Sequence, residues 1–320
     1  GTPVFAQRAM GIVPGYETVE LAMDPSGHVE ARIGASPHGQ GLKTTLGQIV
    51  ADEMGVTPDK VRIVSGDTDT TPYGWGTFAS RSIVISGGAT KLAAEAAAGK
   101  LRKIAGKLME AEAETVTLAD GFARVPGTNK AMPIAELARA AYHQSQKLGM
   151  PAGIRETGFY DPSGTFSNAC HICEVEVDIE TGGVRVTRFV VVEDAGIVIN
   201  PMIVDGQIAG GVAQGIGNAL LEELIYDEDG NLLTTSLADY LPPTAVEIPD
   251  LEIVHMVTIS PQTVTKAKGV GEGGTIGAPA AVINAIADAL APFGVELNTM
   301  PATPERIRAA LRNAKVPADA

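Results

Sequence analysis

One carboxylate, Glu272, lies in a run of four glycines within the stretch KGVGEGG at 268–274. A glycine backbone lets a ligand approach closely, and a carboxylate in a dry pocket has its pKa raised towards the pH at which it works as a general base. An exposed glutamate in a flexible glycine loop is the ordinary alternative, because glutamate is mostly solvated. The stretch by itself leaves both interpretations open.

The same stretch also satisfies the dinucleotide pattern G-x-G-x-x-G through Gly269, Gly271 and Gly274. That pattern binds a dinucleotide when it directly follows a strand and opens a helix. Here the predicted strand ends near Ile259, too far upstream, and Asp288 falls within a predicted helix rather than at a strand end. An NAD-linked oxidoreductase is therefore the weaker alternative.

Two further stretches, HGQG at 38–41 and GWGTFASRS at 74–82, each precede a predicted helix. Backbone amides at the start of a helix favour anions, so both stretches could hold a phosphate-bearing cofactor. The alternatives are an ordinary strand-to-helix turn for the first and a capped helix start for the second, because Ser and Thr favour N-caps.

Gln214 lies between glycines on a predicted helix, with Gly210-Gly211 before it and Gly215 and Gly217 after it. A glycine inside a helix costs about 1 kcal/mol, so something must come close to this face. Either a neighbouring helix or a cofactor would explain the pattern, and both stay open at this point.

The elements that must position these residues begin with a hairpin over 19–33. The first half of the chain also predicts a helix from Leu42 that ends before Gly55, a strand over 61–64, and a long alanine-rich helix ending near Glu110. A further helix is predicted over 133–143. The Gly/Pro-rich run that follows indicates an internal boundary, which gives domains at 1–160 and 161–320.

The second half predicts a hairpin with strands at 172–179 and 184–192. A helix from Pro201 to about Leu224 and a strand over 251–259 follow. The last two helices are predicted with Pro279 in the opening turn of one and Thr303 as the N-cap of the other, and 316–320 is a tail without pattern. Because hairpins mix with crossovers, we expect an α+β fold of two α/β-sandwich subdomains with mixed sheets.

Composition restricts the class of protein. The 320 residues are 45% hydrophobic, with a mean hydropathy of +0.12, which is ample for one large core or two smaller ones. The net charge of −14 without a Lys/Arg cluster disfavours nucleic acid and membrane surfaces as partners. Since no apolar run was found to approach about 18 residues, no membrane span is expected.

The two cysteines, Cys170 and Cys173, cannot form a disulfide framework and fit a reducing compartment, so a cytoplasmic location is expected. Their C-x-x-C spacing suggests a metal site. In an extended segment, however, these positions point to opposite faces, which favours two packed thiols over a metal or redox role.

Taken in order, four stretches resemble the second half of the molybdopterin-binding large subunit of the xanthine dehydrogenase, aldehyde oxidase and carbon monoxide dehydrogenase family, the molybdenum hydroxylases. They are HGQG at 38–41, GDTDTTPYGWGTFASRS at 66–82, DAGIVINPMIVDGQIAGGVAQGIGNALLEEL at 194–224, and KGVGEGG at 268–274. The resemblance covers essentially the whole chain, and the four ordered motifs are more specific together than any one of them.

The resemblance implies a molybdenum-molybdopterin cofactor, in its cytosine dinucleotide form, with Glu272 as the catalytic base. The cofactor-binding residues that it implies are Gly39, Gln40, Gly41, Thr77, Phe78, Ala79, Ser80, Arg81, Ser82, Gln214, Lys268 and Gly271. No protein side chain would ligate the metal, which the pterin dithiolene holds. Gln214 would face an oxo ligand of the metal.

The resemblance also implies a reaction and a set of partners. The reaction is hydroxylation of an N-heterocycle or an aldehyde with water-derived oxygen, and electrons would pass to iron–sulfur and FAD subunits. The N-terminal half of the molybdenum subunit is expected on a separate chain, so activity is expected only in the complex, whether the large subunit is naturally split or this is a fragment of it. The alternative from another class is a non-catalytic assembly or scaffold subunit.

Overall fold

The computed structural model describes residues 15–314 of the chain. These residues form two compact units. The first contains the described chain up to Phe166 with Gly196–Asn200 and Thr258–Gly269, and the second contains Ser167–Ala195, Pro201–Val257 and the described residues from Val270 onwards. Two short segments thus return to the first unit. The domain boundary between residues 160 and 161 stays a prediction.

The first unit is built on a four-stranded mixed sheet in the order β3-β2-β1-β7. Its strands are β1 (Glu17–Met23), β2 (Val29–Ile33), β3 (Val61–Val64) and β7 (Ile154–Tyr160). The predicted hairpin is confirmed: β1 and β2 are antiparallel around a turn in which Gly27, at φ 89°, donates to the carbonyl of Asp24. β3 runs parallel to β2.

Strand β7 was not predicted, because it lies within the Gly/Pro-rich run that was interpreted as a boundary. It pairs antiparallel with β1 along its whole length. Gly158 in this strand meets the backbone of Ala89, so a side chain at this position would clash. Gly158 is therefore required by close packing of a helix on the sheet.

The helices of the first unit are α1 (Leu42–Met54), α2 (Ser82–Met109), α3 (Ile134–His143) and the short α4 (Ser145–Leu148). α1 ends at Gly55, at φ 67°, whose N–H donates to the carbonyl of Ala51, as predicted. α2 packs on β1 and β7 with a face of small residues, which lets helix and sheet come close. The unit also contains a small antiparallel sheet of three-residue strands, β4 (Thr117–Ala119), β5 (Phe122–Arg124) and β6 (Ala131–Pro133), which are too short to show alternation in sequence.

The second unit contains a three-stranded mixed sheet in the order β10-β9-β8. The strands are β8 (Asn168–Val177), β9 (Val184–Asp194) and β10 (Leu251–Met256). β8 and β9 form the predicted hairpin, and β10 runs parallel to β9. Antiparallel and parallel pairs occur in both large sheets, which confirms the predicted α+β class with mixed sheets.

Three helices complete the second unit: α5 (Pro201–Leu220), α6 (Gly273–Leu290) and α7 (Pro304–Asn313). α5 ends four residues before the predicted end because the N–H groups of Leu221 and Glu222 both turn back to the carbonyl of Gly217. α6 begins directly after Glu272, which places Pro279 in its second turn rather than its first. Thr303 caps α7 as predicted, since its hydroxyl accepts from the N–H of Arg306.

Residues Gly273–Phe293 are long and apolar enough to cross a membrane, by length and composition only. The expectation that no apolar run reaches spanning length is therefore wrong on those two criteria. The helix nevertheless packs within the second unit against α5 and β8, through a buried face with four-residue spacing: Gly274, Ala278, Val282, Ile286 and Leu290. One such packed helix is weak support for a membrane span.

Candidate active site

In the first unit, the stretch HGQG connects β2 to α1 with two glycines in the left-handed region, Gly39 at φ 107° and Gly41 at φ 79°. The side-chain oxygen of Gln40 accepts a hydrogen bond of 2.9 Å from the N–H of His38. Its side-chain nitrogen is buried and has no hydrogen-bond partner among the described residues. Buried donors are nearly always satisfied in native proteins, so this nitrogen points to an acceptor on a bound group.

The second predicted binding stretch, the loop 77–82, is held in a strained conformation at the start of α2. Ala79 at φ 53° and Ser80 at φ 55° are non-glycine residues in the left-handed region. Ser82 donates a 3.0 Å hydrogen bond to Thr77, which closes the loop on itself. Such strain persists where the surrounding structure requires it, and it is common at ligand-binding loops.

Arg81 anchors this loop from inside the first unit. The residue is 1% exposed, and its guanidinium carbon lies 4.9 Å from the ring centre of Phe78. Burial lowers the pKa of Arg81, an effect opposed by the charge of Glu17, which is also 1% exposed. Burial raises the pKa of Glu17, while hydrogen bonds from Thr18 and Ser86, then Arg81, act against that rise. The buried Arg81 side chain therefore supports the loop.

The structure brings Lys268 and Gly269 next to this loop, within the same unit. A Cβ on Gly269 would lie 2.5 Å from the carbonyl oxygen of Ser80, so the two backbones are in direct contact. Lys268 is 6% exposed, and its side chain packs on Gly196. Two stretches that are far apart in the sequence, the loop 77–82 and Gly269, thus meet at Ser80, which no local pattern could have indicated.

The second unit carries Glu272, Gly271 and Gln214. Glu272 is exposed in its own unit and stands at the N-cap position of α6, with its carbonyl accepting from Thr275 (3.1 Å) and Ile276 (3.2 Å). Gly271 precedes it and is exposed. A carboxylate at this end of a helix is favoured by the helix dipole, which suits a group that must carry negative charge.

The glycines around Glu272 have packing reasons inside the protein. A Cβ on Gly273 would lie 2.5 Å from a carboxylate oxygen of Glu193 on β9. Gly274 meets α5, where its Cβ would lie 3.0 Å from the Cα of Gly211. From the sequence, close approach of a ligand was one of two open interpretations of this run. For these two glycines the close neighbours are a strand and a helix.

The same contacts answer the question that the glycines around Gln214 left open. A Cβ on Gly211 would lie 2.8 Å from Gly274, and one on Gly215 would lie 2.5 Å from the side chain of Ala278. A neighbouring helix, α6, therefore explains both. Gly210 has no atom within 4 Å of its Cβ position and so no such reason among the described residues.

Gln214 itself is oriented by an acid from the end of its own helix. Its amide nitrogen donates to Glu222, at 3.1 Å and 3.3 Å from the two carboxylate oxygens. Tyr240 donates its hydroxyl to the same carboxylate. Gly217 leaves room for this arrangement, because any side chain there would overlap with Glu222. The amide nitrogen of Gln214 is thus held in place by Glu222.

Glu193 was not identified from the sequence. It is 1% exposed, and no described residue donates a hydrogen bond to either of its carboxylate oxygens. Burial, and then the charge of Asp194, raises the pKa of Glu193 to about 7, while His255 opposes that rise. The only sequence signal was two adjacent acids at the end of an apolar strand, which is not specific.

The cysteines lie on β8, with Cys170 exposed and Cys173 partly buried. Burial raises the pKa of the Cys173 thiol to about 11, so that thiol is protonated at neutral pH. Within residues 15–314, no group of three or more His, Cys, Asp or Glu side chains is arranged to hold a metal ion.

Comparison with known proteins places this geometry in context. The chain is 44% identical over 296 residues to the nicotine 6-hydroxylase large subunit of Paenarthrobacter nicotinovorans, covering 91% of this chain and 36% of that one. It is 38% identical to the carbon monoxide dehydrogenase large chain of Hydrogenophaga pseudoflava, covering 93% and 37%. The chain therefore spans little more than a third of the length of these relatives.

Among solved structures, quinoline 2-oxidoreductase from Pseudomonas putida 86 matches with a TM-score of 0.87 and 44% identity, covering 93% of this chain and 38% of that one. A Cu,Mo-CO dehydrogenase matches with a TM-score of 0.86 and 36% identity, covering 92% and 37%. The model of the molybdopterin cofactor-binding domain matches residues 3–249, which is most of the chain. These matches confirm the resemblance stated from the four motifs, and the chain belongs to the molybdopterin cofactor-binding domain family, as found in the large subunits of molybdenum hydroxylases.

Proposed function

We propose that this chain forms the second part of the catalytic subunit of a molybdenum hydroxylase, with Glu272 as its general base. The observation that carries the proposal is the placement of Glu272: an exposed carboxylate at the N-cap position of a helix whose first glycines pack against a strand and a neighbouring helix. A base must be held in one position to reach the proton that it removes. A flexible glycine loop would not give that position.

The residues of the first unit fit a molybdopterin cofactor. The amide nitrogen of Gln40, which has no partner among the described residues, and the backbone of the strained loop 77–82 at the start of α2 are hydrogen-bond donors suited to a pterin and a pyrophosphate. Lys268 precedes Gly269, which contacts Ser80, and would add a positive charge. We assign the pyrophosphate of a cytosine dinucleotide form to the loop. When bound, the cofactor supplies a metal that activates water and accepts two electrons from the substrate.

The residues of this chain supply positioning and proton transfer. Glu272 accepts, at a carboxylate oxygen, the proton of the water-derived nucleophile as the new carbon–oxygen bond forms. Gln214, fixed by Glu222, offers an amide of set orientation to the cofactor. Gly271 leaves the approach to Glu272 open, because it carries no side chain.

For the substrate, we propose an N-heterocycle. Two of the most similar relatives, at 44% identity each, are named for nicotine and quinoline, which are N-heterocycles. An aldehyde is the second candidate, since an aldehyde oxidoreductase from Desulfovibrio desulfuricans matches at 28% identity with a TM-score of 0.70. The match at higher identity favours the heterocycle.

The proposed partners follow from the share of the relatives that this chain covers, 36% and 37% of two large subunits. We propose that the remaining part of the large subunit is supplied by another polypeptide segment, and that iron–sulfur and FAD subunits carry the electrons away. Activity then requires the assembled complex.

The test is elemental and pterin analysis of the native complex that contains this chain. The expected result is one molybdenum for each copy of the chain, with a cytosine nucleotide released when the pyrophosphate of the extracted cofactor is hydrolysed. A fully assembled complex without molybdenum or pterin would contradict the proposal. So would turnover of N-heterocycles and aldehydes that does not depend on the metal.

A further inference from the structure

A buried acid lies directly beneath the residue that follows Glu272. Glu193 is on β9, and its two carboxylate oxygens would lie 2.5 Å and 2.9 Å from a Cβ placed on Gly273. Glu193 is 1% exposed, and neither oxygen accepts a hydrogen bond from any described residue. An ionised carboxylate without donors or solvent is strongly disfavoured, so this environment favours the neutral acid.

Titratable groups lie on every element that neighbours Glu193 in the second unit, and of these Asp194 and His255 act on its charge. Asp194 follows it on β9, and His255 is its register partner on β10. His255 is hydrogen-bonded at 2.7 Å to Asp205 on α5. On the β8 side, His171 packs under the α6 residue Gly277, with its ring carbon 2.7 Å from the Cβ position. Glu272 stands at the start of α6.

These groups shift the pKa of Glu193 in opposite directions. Burial and Asp194 raise its pKa to about 7, and His255 works against them. Burial lowers the pKa of His171, so this ring is mainly neutral near pH 7 and gives Glu193 little compensating charge. The carboxyl of Glu193 thus changes its charge near neutral pH.

We propose that Glu193 is a titratable positioning residue for Glu272, and this inference rests on the proposed function. While the carboxyl of Glu193 is protonated, the first turn of α6 sits on it and Glu272 is held in place. When Glu193 ionises, its carboxylate needs water or a donor that the packed turn does not provide. The turn is then displaced, and a second negative charge opposes that of the base.

The consequence is an alkaline limb in the pH dependence of turnover. A single ionisation that inactivates gives a tenfold fall in rate for each pH unit above its pKa. In the assembled complex, the turnover number should therefore fall in this way above the pH at which Glu193 ionises. Glu193→Gln, which is close in shape and cannot ionise, should keep its turnover at pH 6 and lose the alkaline limb.

The matched control is Glu176→Gln on β8, an exposed residue paired with Arg185, which should leave the pH profile unchanged. A second variant, His255→Gln, removes a charge that favours the ionised form of Glu193, so it should move the alkaline limb to higher pH. An alkaline limb that is the same in the wild type, Glu193→Gln and His255→Gln would overturn the proposal.

A readout without turnover separates this inference from the proposed function. The infrared carbonyl band of a protonated carboxylic acid should be present in the wild-type complex at pH 6, fade as the pH is raised to 8, and be missing in Glu193→Gln. If Glu272→Gln keeps full turnover while this band behaves as stated, the role of Glu272 as base is wrong. If Glu272→Gln is inactive but the band is missing from the wild type, the inference on Glu193 is wrong.

Discussion

The amide nitrogen of Gln214 donates to a carboxylate oxygen of Glu222 at 3.1 Å, across the last turns of α5. The acid is 9% exposed and also accepts from the hydroxyl of Tyr240. Because one N–H of the Gln214 amide donates this hydrogen bond, the directions of its other N–H and of its carbonyl are fixed. The pair makes Gln214 a fixed donor or acceptor for a cofactor.

Replacing Glu222 should release that amide. We expect Glu222→Ala to lower the turnover number of the assembled complex by about 10-fold to 100-fold, the range typical of lost orienting contacts around a metal site. Tyr240→Phe, which removes one hydrogen bond to the same acid, should have a smaller effect in the same direction. Steady-state kinetics with molybdenum content measured on each sample would check this. Unchanged turnover in Glu222→Ala would show that the orientation of Gln214 does not matter.

The buried pair Glu17 and Arg81 should control the loop 77–82. Glu17→Gln removes one negative charge from beside the buried guanidinium of Arg81, and loss of one partner of a buried charge pair typically costs about 3 kcal/mol or more. We therefore expect a lower unfolding temperature and less bound cofactor. Glu20→Gln, on the exposed face of the same strand, is the control and should change neither quantity. Full cofactor retention in Glu17→Gln would contradict the anchoring role of Arg81.

Two adjacent glycines on α5 should respond to alanine with opposite signs. Gly211→Ala places a Cβ 2.8 Å from the backbone of Gly274, so overpacking of roughly 1–3 kcal/mol is expected. Gly210→Ala meets no atom within 4 Å, and alanine favours a helix by up to about 1 kcal/mol, so this variant should be neutral or more stable. Denaturant unfolding of both variants in the complex measures the difference. Equal effects would argue against the close α5–α6 contact.

Glu193 should also make stability depend on pH. Its pKa rises from the ordinary glutamate value of 4.5 to about 7 in the folded protein, so the folded state holds the proton more tightly. The contribution to stability is complete below pH 4.5 and is lost as the pH rises through 7, and it amounts to about 3 kcal/mol at most. The unfolding free energies of the wild type and Glu193→Gln, compared at pH 5 and pH 8, should therefore change by different amounts. Parallel changes would exclude this ionisation.

Local signals in the sequence correctly predicted those helix ends that depend only on neighbouring residues. Gly55 at the end of α1 and Thr303 at the start of α7 act through their own backbone conformation and hydrogen bonds, so spacing alone predicted them. Strand β7 was missed because its partner, β1, is more than a hundred residues away and because the strand lies within a Gly/Pro-rich run. Pairing with a distant strand produces no periodic pattern in the sequence of a short strand.

In the candidate site too, local features were predicted from the sequence and features that depend on tertiary packing were not. Glu272 and the loop 77–82 were identified from local composition and from the resemblance. Close approach of a ligand was one open interpretation of the glycines beside Glu272, whereas Glu193 and α5 occupy the space next to Gly273 and Gly274. Which group lies against a glycine depends on tertiary packing, so neither Glu193 nor the contact of Gly269 with Ser80 could be predicted.

The most direct test of the whole account is the turnover of Glu272→Gln in the assembled complex. Glu305→Gln, another exposed glutamate in the first turn of a helix, is its matched control. We predict that Glu272→Gln keeps its molybdenum and pterin and loses about 10²-fold to 10⁴-fold in the rate of substrate oxidation, as expected for removal of a general base. The control should turn over like the wild type. A Glu272→Gln complex with full cofactor content and a wild-type rate would contradict the central claim.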